Sequence, residues 1–414
     1  MKLSLLLWGL AVKLRKTSRN NAKLQSLLNT RTASIRIGTE DQTVGRLFVF
    51  SKGHIFTQSG AKGGADLKMV WKDPDTAYKA MTSSDPESAS HALERGDLRL
   101  EGDLTVAQWF GHVIRTIKPA GPQTAPIEAV AVIGLGKMGS GLAHNIQRGG
   151  FPLTVFNRTA AKAKPFLDKG AILASSPKEA ASHADIIVSS LMDDASIRNL
   201  VTAPDGVLAG LKPGSIHLCA TTISPDMARE MVRLHDDHGC HFVSGAVVGR
   251  PDAAMAGELI TFLAGEKESI ARCMPVCETY SSSVMVMGKE PSLANYAKLS
   301  VNYVAVSCMA LMGQIYSYGD AVGITREFYG RLFEASFSNP ILKMYAAKIR
   351  DQEFETGVGF ELSGGLKDVK LMLAASDETS QSFDYAPMII EKMEQAAAAG
   401  FEHSDWSVFT RTPD

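Results

Sequence analysis

Ala129-Val130-Ala131-Val132-Ile133-Gly134-Leu135-Gly136-Lys137-Met138-Gly139 decides how the rest of the chain is read. The apolar run that opens after Glu128 has the length and composition of a strand buried on both faces of a parallel sheet. A glycine turn follows at once with the spacing G-x-G-x-x-G. In such a turn Gly134 makes the bend, Gly136 admits a pyrophosphate and Gly139 lets helix and strand pack closely. The helix that begins there, through Leu142 and Ile146, aims its unpaired N–H groups at phosphate. Gly149-Gly150 then stops it before a second apolar run, Leu153 to Phe156. The spacing alone also occurs in ordinary turns; a strand before it and a helix after it make Gly134, Leu135, Gly136, Lys137, Met138 and Gly139 candidate cofactor-binding residues.

A site that prefers NADH carries Asp or Glu at the end of the second strand, to hold the ribose hydroxyls. This chain has Asn157-Arg158-Thr159 instead. Arg158 can pair with a 2′-phosphate, and Asn157 and Thr159 can add neutral hydrogen bonds, so NADPH is expected over NADH. Further strands at Ile186 to Ser189, Ser215 to Leu218 and His241 to Val243 alternate with helices, which predicts a doubly wound parallel sheet. Ligands of such sheets sit at the carboxyl ends of the strands. Leu191, Met192 and Thr222 fall at those ends, as candidates for the nicotinamide half. Ser224-Pro225 reads as a helix cap.

Outside this region the chain is less explicit. Its 414 residues exceed one ordinary core, and the 45% hydrophobic content and net charge of -1 suit a globular protein with no nucleic-acid surface. Cys219, Cys240, Cys273, Cys277 and Cys308 have neither zinc nor disulfide spacing, so no metal is expected and a reducing, cytoplasmic compartment fits. Lys118 to Pro126 holds three prolines without apolar period and reads as a linker. Before it, runs at Ala33 to Ile37, Arg46 to Phe50 and Leu67 to Trp71 predict an antiparallel sheet with helices, a small α+β domain. The apolar run Leu3 to Val12 is about half of the roughly 20 residues that cross a bilayer. Continued through Leu14, Leu24, Leu27 and Leu28 it reads as one amphipathic helix, which either packs on its own domain or lies on a membrane surface.

Two resemblances add to this. Leu93 to Asp103, with the apolar helix through Trp109 and Phe110, resembles sterol-carrier-protein-like domains, which implies a lipid or acyl ligand; an oligomerising role is the alternative. From Glu128 onward the chain resembles the β-hydroxyacid dehydrogenase family of NAD(P)-dependent oxidoreductases. That family joins a Rossmann domain to an all-α domain opened by a long helix. With the proline-rich linker this divides the chain into domains at 1–118, 128–290 and 291–414, with 119–127 as linker, the last two domains being those the resemblance implies.

The helix signature is matched by Asn295-Tyr296-Ala297-Lys298-Leu299-Ser300-Val301-Asn302, which implies Lys298 as the catalytic residue, with Asn302 one turn on. Hydride reduction of a carbonyl builds charge on oxygen, and a lysine offers both a cation and a proton. Lys367, in Gly364-Gly365-Leu366-Lys367-Asp368-Val369, matches a lysine that approaches the cofactor. Asp405-Trp406-Ser407 resembles a tail motif near the site. The substrate-binding segment departs from the family pattern: one register puts Val248, Gly249 and Arg250 there, another Ser244-Gly245. The implied reaction interconverts a small β-hydroxy acid or alcohol and its carbonyl, in a dimer or tetramer. Imine reductases share the plan but usually lack the helix lysine, and a non-catalytic sensor of cofactor or lipid is a third reading.

Overall fold

The structure is a computed structural model that describes residues 2–83, 88–117, 129–337, 339–378 and 383–411. The chain forms two compact units, Met1–Gln123 and Thr124–Asp414. The proline-rich segment read as a linker lies outside the described residues.

The first unit has strands β1 (Ala33–Thr39), β2 (Gly45–Ser51), β3 (His54–Ser59), β4 (Leu67–Trp71) and β5 (Leu98–Gly102) in the order β3-β2-β1-β4-β5. The sheet is mixed, which corrects the antiparallel expectation, because β1 and β4 run parallel. After the β2–β3 hairpin the chain does not turn back beside β3. It crosses over through residues 60–66 to the free side of β1, and a crossover of this kind leaves the two strands parallel. Arg36 holds the crossover by donating to the carbonyl oxygens of Gly60 (2.9 Å) and Gly64 (3.4 Å). The single N-terminal helix expected from the leucines is two, Lys2–Asn20 and Ala22–Asn29. Asn21 separates them, since its side chain accepts from Leu24 N and caps the second helix. Leu3, Leu7, Leu14, Leu24 and Leu28 are buried with Phe48, Phe50, Trp109 and Phe110. Phe50 meets Trp109 edge to face at 5.0 Å.

The second unit contains β6 (Val130–Ile133), β7 (Leu153–Phe156), β8 (Ile172–Leu173), β9 (Ile186–Ser189), β10 (Ile216–Cys219), β11 (His241–Val248), β12 (Leu259–Ala264) and β13 (Ser281–Gly288). Their order is β13-β12-β11-β10-β9-β6-β7-β8. Successive side chains of a strand face opposite ways, and both faces are covered: Val130 and Val132 join one core cluster, Ala131 and Ile133 another. One pair departs from the all-parallel expectation, since β11 and β12 are antiparallel. The connection between them is only the six-residue helix Pro251–Ala256 and a left-handed Gly257, too short for a parallel crossover. The strand order reverses at β6, between β7 and β9, which opens a crevice at the carboxyl ends.

The helical part opens with the 31-residue helix Ser292–Val322. It is long and apolar enough to cross a membrane, but one face is built into the protein. Val306, Met309, Met312 and Tyr316 are buried with residues of helices Pro340–Asp351, Leu362–Asp377 and Ala386–Ala396. A truncation such as Met309→Ala in that cluster costs about 2–5 kcal/mol.

Candidate active site

The three glycines of the first turn are used in two different ways. Gly134 has φ +95°, and a Cβ there would run into the Ser190 carbonyl oxygen at the end of β9. A Cβ on Gly139 would run into the Gly134 carbonyl oxygen, so strand, turn and helix touch through backbone. Around Gly136, by contrast, nothing lies within 4 Å of a Cβ position. Gly136 is the N-cap of helix Lys137–Arg148 and offers no side-chain cap, so the first N–H groups of that helix stay open to a ligand. Two crowded glycines beside one that faces open space fit a dinucleotide pyrophosphate.

Asn157 fixes this turn to the next strand. Its Oδ1 accepts from Leu135 N at 2.8 Å and its Nδ2 donates to Thr159 O at 3.0 Å. Arg158 and Thr159 are exposed just past the end of β7. Met138 is partly buried against the core beneath the helix. Lys137, exposed, reaches across to the helical part, where it donates to Val358 O at 3.3 Å and stands 3.6 Å from Glu361 Oε1.

At the strand ends Leu191 N donates to Thr221 Oγ1 at 2.8 Å. Lys367 joins the two loops there, donating to Met192 O (3.1 Å) and Thr222 O (2.8 Å), and it lies 2.8 Å from Asp368 Oδ1. Ser224 caps helix Pro225–Asp236 by accepting from Met227 N.

A buried histidine pair supports β9 from below. The Met231 carbonyl can only accept, so His235 Nδ1 donates to it at 2.7 Å. His235 Nε2 then accepts from His217 Nδ1 at 3.1 Å, and His217 Nε2 accepts from Ser189 Oγ at 2.8 Å. Burial holds both rings neutral: it pushes His235 down to about 4 and His217 well below its ordinary value.

Lys298, Asn302 and Asp368 form one buried group, only 9%, 8% and 2% exposed. Lys298 Nζ donates to Asn302 Oδ1 at 3.0 Å, and Asn302 Nδ2 donates to Asp368 Oδ2. Burial pushes the Lys298 ammonium down to about 8; Asp368 opposes this and Lys367 adds to it. Through Asp368 and Lys367 the group is continuous with the loops at the strand ends. Asp368 is the residue that the sequence reading passed over. Its signal was its place beside Lys367, but the partner it holds is 66 residues away in the chain.

The substrate candidates are placed unevenly. Val248 is half-buried against Ala246, Phe262 and Ala294. Gly249 has φ +139°, and a Cβ there would press on Leu259. The Arg250 guanidinium donates to Gly357 O at 2.9 Å and Tyr345 OH at 3.2 Å, and lies 3.5 Å from the fully buried Asp405. Asp405 also caps the short 3-10 helix Trp406–Thr410 by accepting from Ser407. Ser244 is buried within β11 and donates to Asn295 Oδ1 at 2.9 Å, so its hydroxyl is engaged.

Comparisons with known proteins agree with this arrangement. A model of the NAD-binding domain of 6-phosphogluconate dehydrogenase matches residues 129–288. The oxidoreductase YfjR of Bacillus subtilis is 33% identical over 282 residues, which cover 68% of this chain and 98% of YfjR. The cytokine-like nuclear factor N-PAC of Danio rerio is 25% identical over 356 residues, 86% of this chain and 76% of that protein. Among solved structures, 3-hydroxyisobutyrate dehydrogenase of Salmonella typhimurium shares the fold with a TM-score of 0.62 at 21% identity, covering 68% of this chain and 98% of its own. A glycine turn with an open helix end, a lysine buried where the long helix meets the strand ends, and a relative matched over nearly its whole length agree: the chain belongs to the β-hydroxyacid dehydrogenase family of NAD(P)-dependent oxidoreductases.

Proposed function

We propose that the second unit reduces a carbonyl group, or oxidises the corresponding β-hydroxy acid or alcohol, with NADPH as coenzyme and Lys298 as the proton donor. The observation that carries this reading is the Lys298–Asn302–Asp368 group, in which burial brings a lysine ammonium down to about 8 and an oriented amide accepts its hydrogen bond. A donor titrating close to the working pH is matched to general acid catalysis. When bound, the reduced coenzyme supplies the hydride. The open N–H groups at Gly136 to Met138 hold its pyrophosphate, and Arg158 takes the 2′-phosphate. Lys298 gives its proton to the carbonyl oxygen as charge develops there, and Asn302 keeps the ammonium aimed. Lys367 ties together the strand-end loops at Met192 and Thr222, which would border the nicotinamide. Val248 and Gly249 border the substrate. Gly357 O, Tyr345 OH and Asp405 compete with any substrate carboxylate for Arg250.

A turnover assay with NADPH and a panel of short aldehydes, semialdehydes, keto acids and cyclic imines tests the reaction class. Reduction of the imines alone would overturn the carbonyl reading. For the coenzyme, Arg158→Asp should weaken NADPH binding by about tenfold or more, with the loss shrinking at high salt. Equal or tighter binding of NADH by the wild type would overturn the assignment.

We propose also that two copies associate along the outer face of helix Ser292–Val322. Val301, Val304, Cys308, Leu311, Ile315, Tyr318 and Val322 recur at alternate spacings of three and four, the repeat of a helix-pairing seam. Val304, Leu311 and Tyr318 are each about 60% exposed. Leu311→Glu should shift the protein towards monomer in sedimentation velocity; a wild type that is already monomeric rules the seam out.

A further inference from the structure

Helix Lys2–Asn20 has two apolar faces, and only one of them is used. Leu3, Leu7, Ala11 and Leu14 are buried in the first unit. Leu5, Trp8 and Val12, spaced three and four apart on the other side, are 68%, 55% and 43% exposed. Continuing the same side towards the helix end come the exposed Lys16 and Arg19, with Lys13 beside them. Along residues 1–31 the charge has one sign. Residues 1–31 carry Lys2, Lys13, Arg15, Lys16, Arg19, Lys23 and Arg31, and the first carboxylate of the chain is Glu40. The protein as a whole has a net charge of -1, so the concentration of cations here is not a feature of its composition. Among the described side chains, Arg15 donates to Ile55 O, Arg31 lies 2.9 Å from Asp103, and the Lys2 ammonium stands 5.9 Å from the centre of the Tyr78 ring.

An exposed tryptophan and two aliphatic side chains on a helix that carries lysine and arginine and no acid have the makeup of a helix that lies in the plane of a bilayer surface. The aromatic ring sits at the headgroup level while the cations meet anionic lipid. We infer that the outer face of helix Lys2–Asn20 docks on membranes rich in anionic lipid, as a peripheral contact that leaves both units outside the bilayer. The proposal concerns the first unit and stands independently of the reaction assigned to the second.

The full chain is mixed with phosphatidylcholine vesicles with and without about one-third phosphatidylserine, and bound protein is separated by flotation. Trp71, Trp109 and Trp406 are buried, so a blue shift of fluorescence on binding reports Trp8. Binding to the anionic vesicles should exceed binding to the neutral ones by at least about tenfold, and should fall as salt rises from about 0.1 to 0.5 M. Trp8→Ser and the triple change Lys13→Glu, Lys16→Glu and Arg19→Glu should each reduce it about tenfold or more, with NADPH turnover unchanged. These side chains are exposed, and unchanged circular dichroism of the variants confirms that they fold. Equal binding to both vesicle types, no binding, or binding that survives both sets of substitutions overturns the proposal. So does a self-association of the wild type that Trp8→Ser abolishes without vesicles, because the stripe is then covered by a second copy.

Discussion

The interiors of the two units are built on different terms. The first unit is closed by aliphatic and aromatic side chains around Phe48, Phe50 and Trp109, and its buried arginine, Arg36, spends its hydrogen bonds on backbone. The second unit buries a lysine, two aspartates, two histidines and several amides and hydroxyls, and one hydrogen-bonded chain among them runs from the strand ends to the long helix. Burying a charge or an unprotonated imidazole is unfavourable unless a partner compensates it. An apolar filling would stabilise the second unit more. The second unit thus carries titratable groups in its interior, so its stability should respond to pH where that of the first need not, and on the proposed role of Lys298 its activity should as well.

The largest effect should follow from making one part of the second interior apolar. Lys298→Met keeps length and helix preference and deletes the charge. Single-turnover hydride transfer, followed by nicotinamide absorbance, should fall roughly 10²- to 10⁴-fold with coenzyme affinity nearly unchanged. An unchanged rate would make the lysine a structural residue.

Acid should distinguish the histidine pair next. A buried histidine whose folded value lies below the unfolded 6.5 takes up its proton only on unfolding. The stability it protects is therefore whole above about 6.5 and drains as pH falls towards 4. For His235 the loss at pH 4 is about 3 kcal/mol. Urea titrations at a series of pH values should show this slope in the wild type and a flatter one after His217→Phe with His235→Leu. Equal slopes would mean the pair is not what titrates.

A smaller effect concerns Asp368, which raises the value of Lys298 against the burial that lowers it. Reduction needs the protonated lysine, so the wild-type rate should decline as pH passes about 8. In Asp368→Asn the opposing carboxylate is gone, and that decline should move to lower pH. A profile that keeps its position while the rate drops uniformly would give Asp368 a packing role only. Asn302→Ala, which removes its hydrogen bonds to the Lys298 ammonium and the Asp368 carboxylate, should cost about 1.5–3 kcal/mol in the same measurement. The smallest effect expected is from removing residues 1–127: if the units fold independently, coenzyme binding by the remainder should stay within about twofold. A soluble, folded remainder that binds none would show that they do not.

Much of this was legible in the chain, and unevenly so for physical reasons. β6, β7 and β9 are short apolar runs beside glycine or a strand-end loop, and such runs name their own boundaries. β13 opens with Ser281-Ser282-Ser283, and β12 sits in a reversal made by a short helix, so neither carries the helix-between-strands rhythm by which the others were read. The parallel pairing of β1 with β4 was likewise hidden, because a hairpin sheet and a crossed-over one have the same alternation of residues. In the site, Lys298 and Asn302 are one helical turn apart and were found together. Asp368 and the pair His217 and His235 acquire their partners only when distant segments meet, which no local pattern records.

Lys137 carries a last consequence. Its ammonium already meets Val358 O and Glu361 across the mouth of the glycine turn. If the turn holds the coenzyme as proposed, an arriving phosphate finds this cation engaged and gains it only by exchange for those oxygens. Release of Val358 O and Glu361 and capture of an anion by Lys137 would then be two sides of one equilibrium. An affinity measured for the coenzyme reports the difference between two sets of contacts rather than the strength of either. Loosening that hold, for instance by Glu361→Gln, should tighten binding without adding a single contact to the ligand.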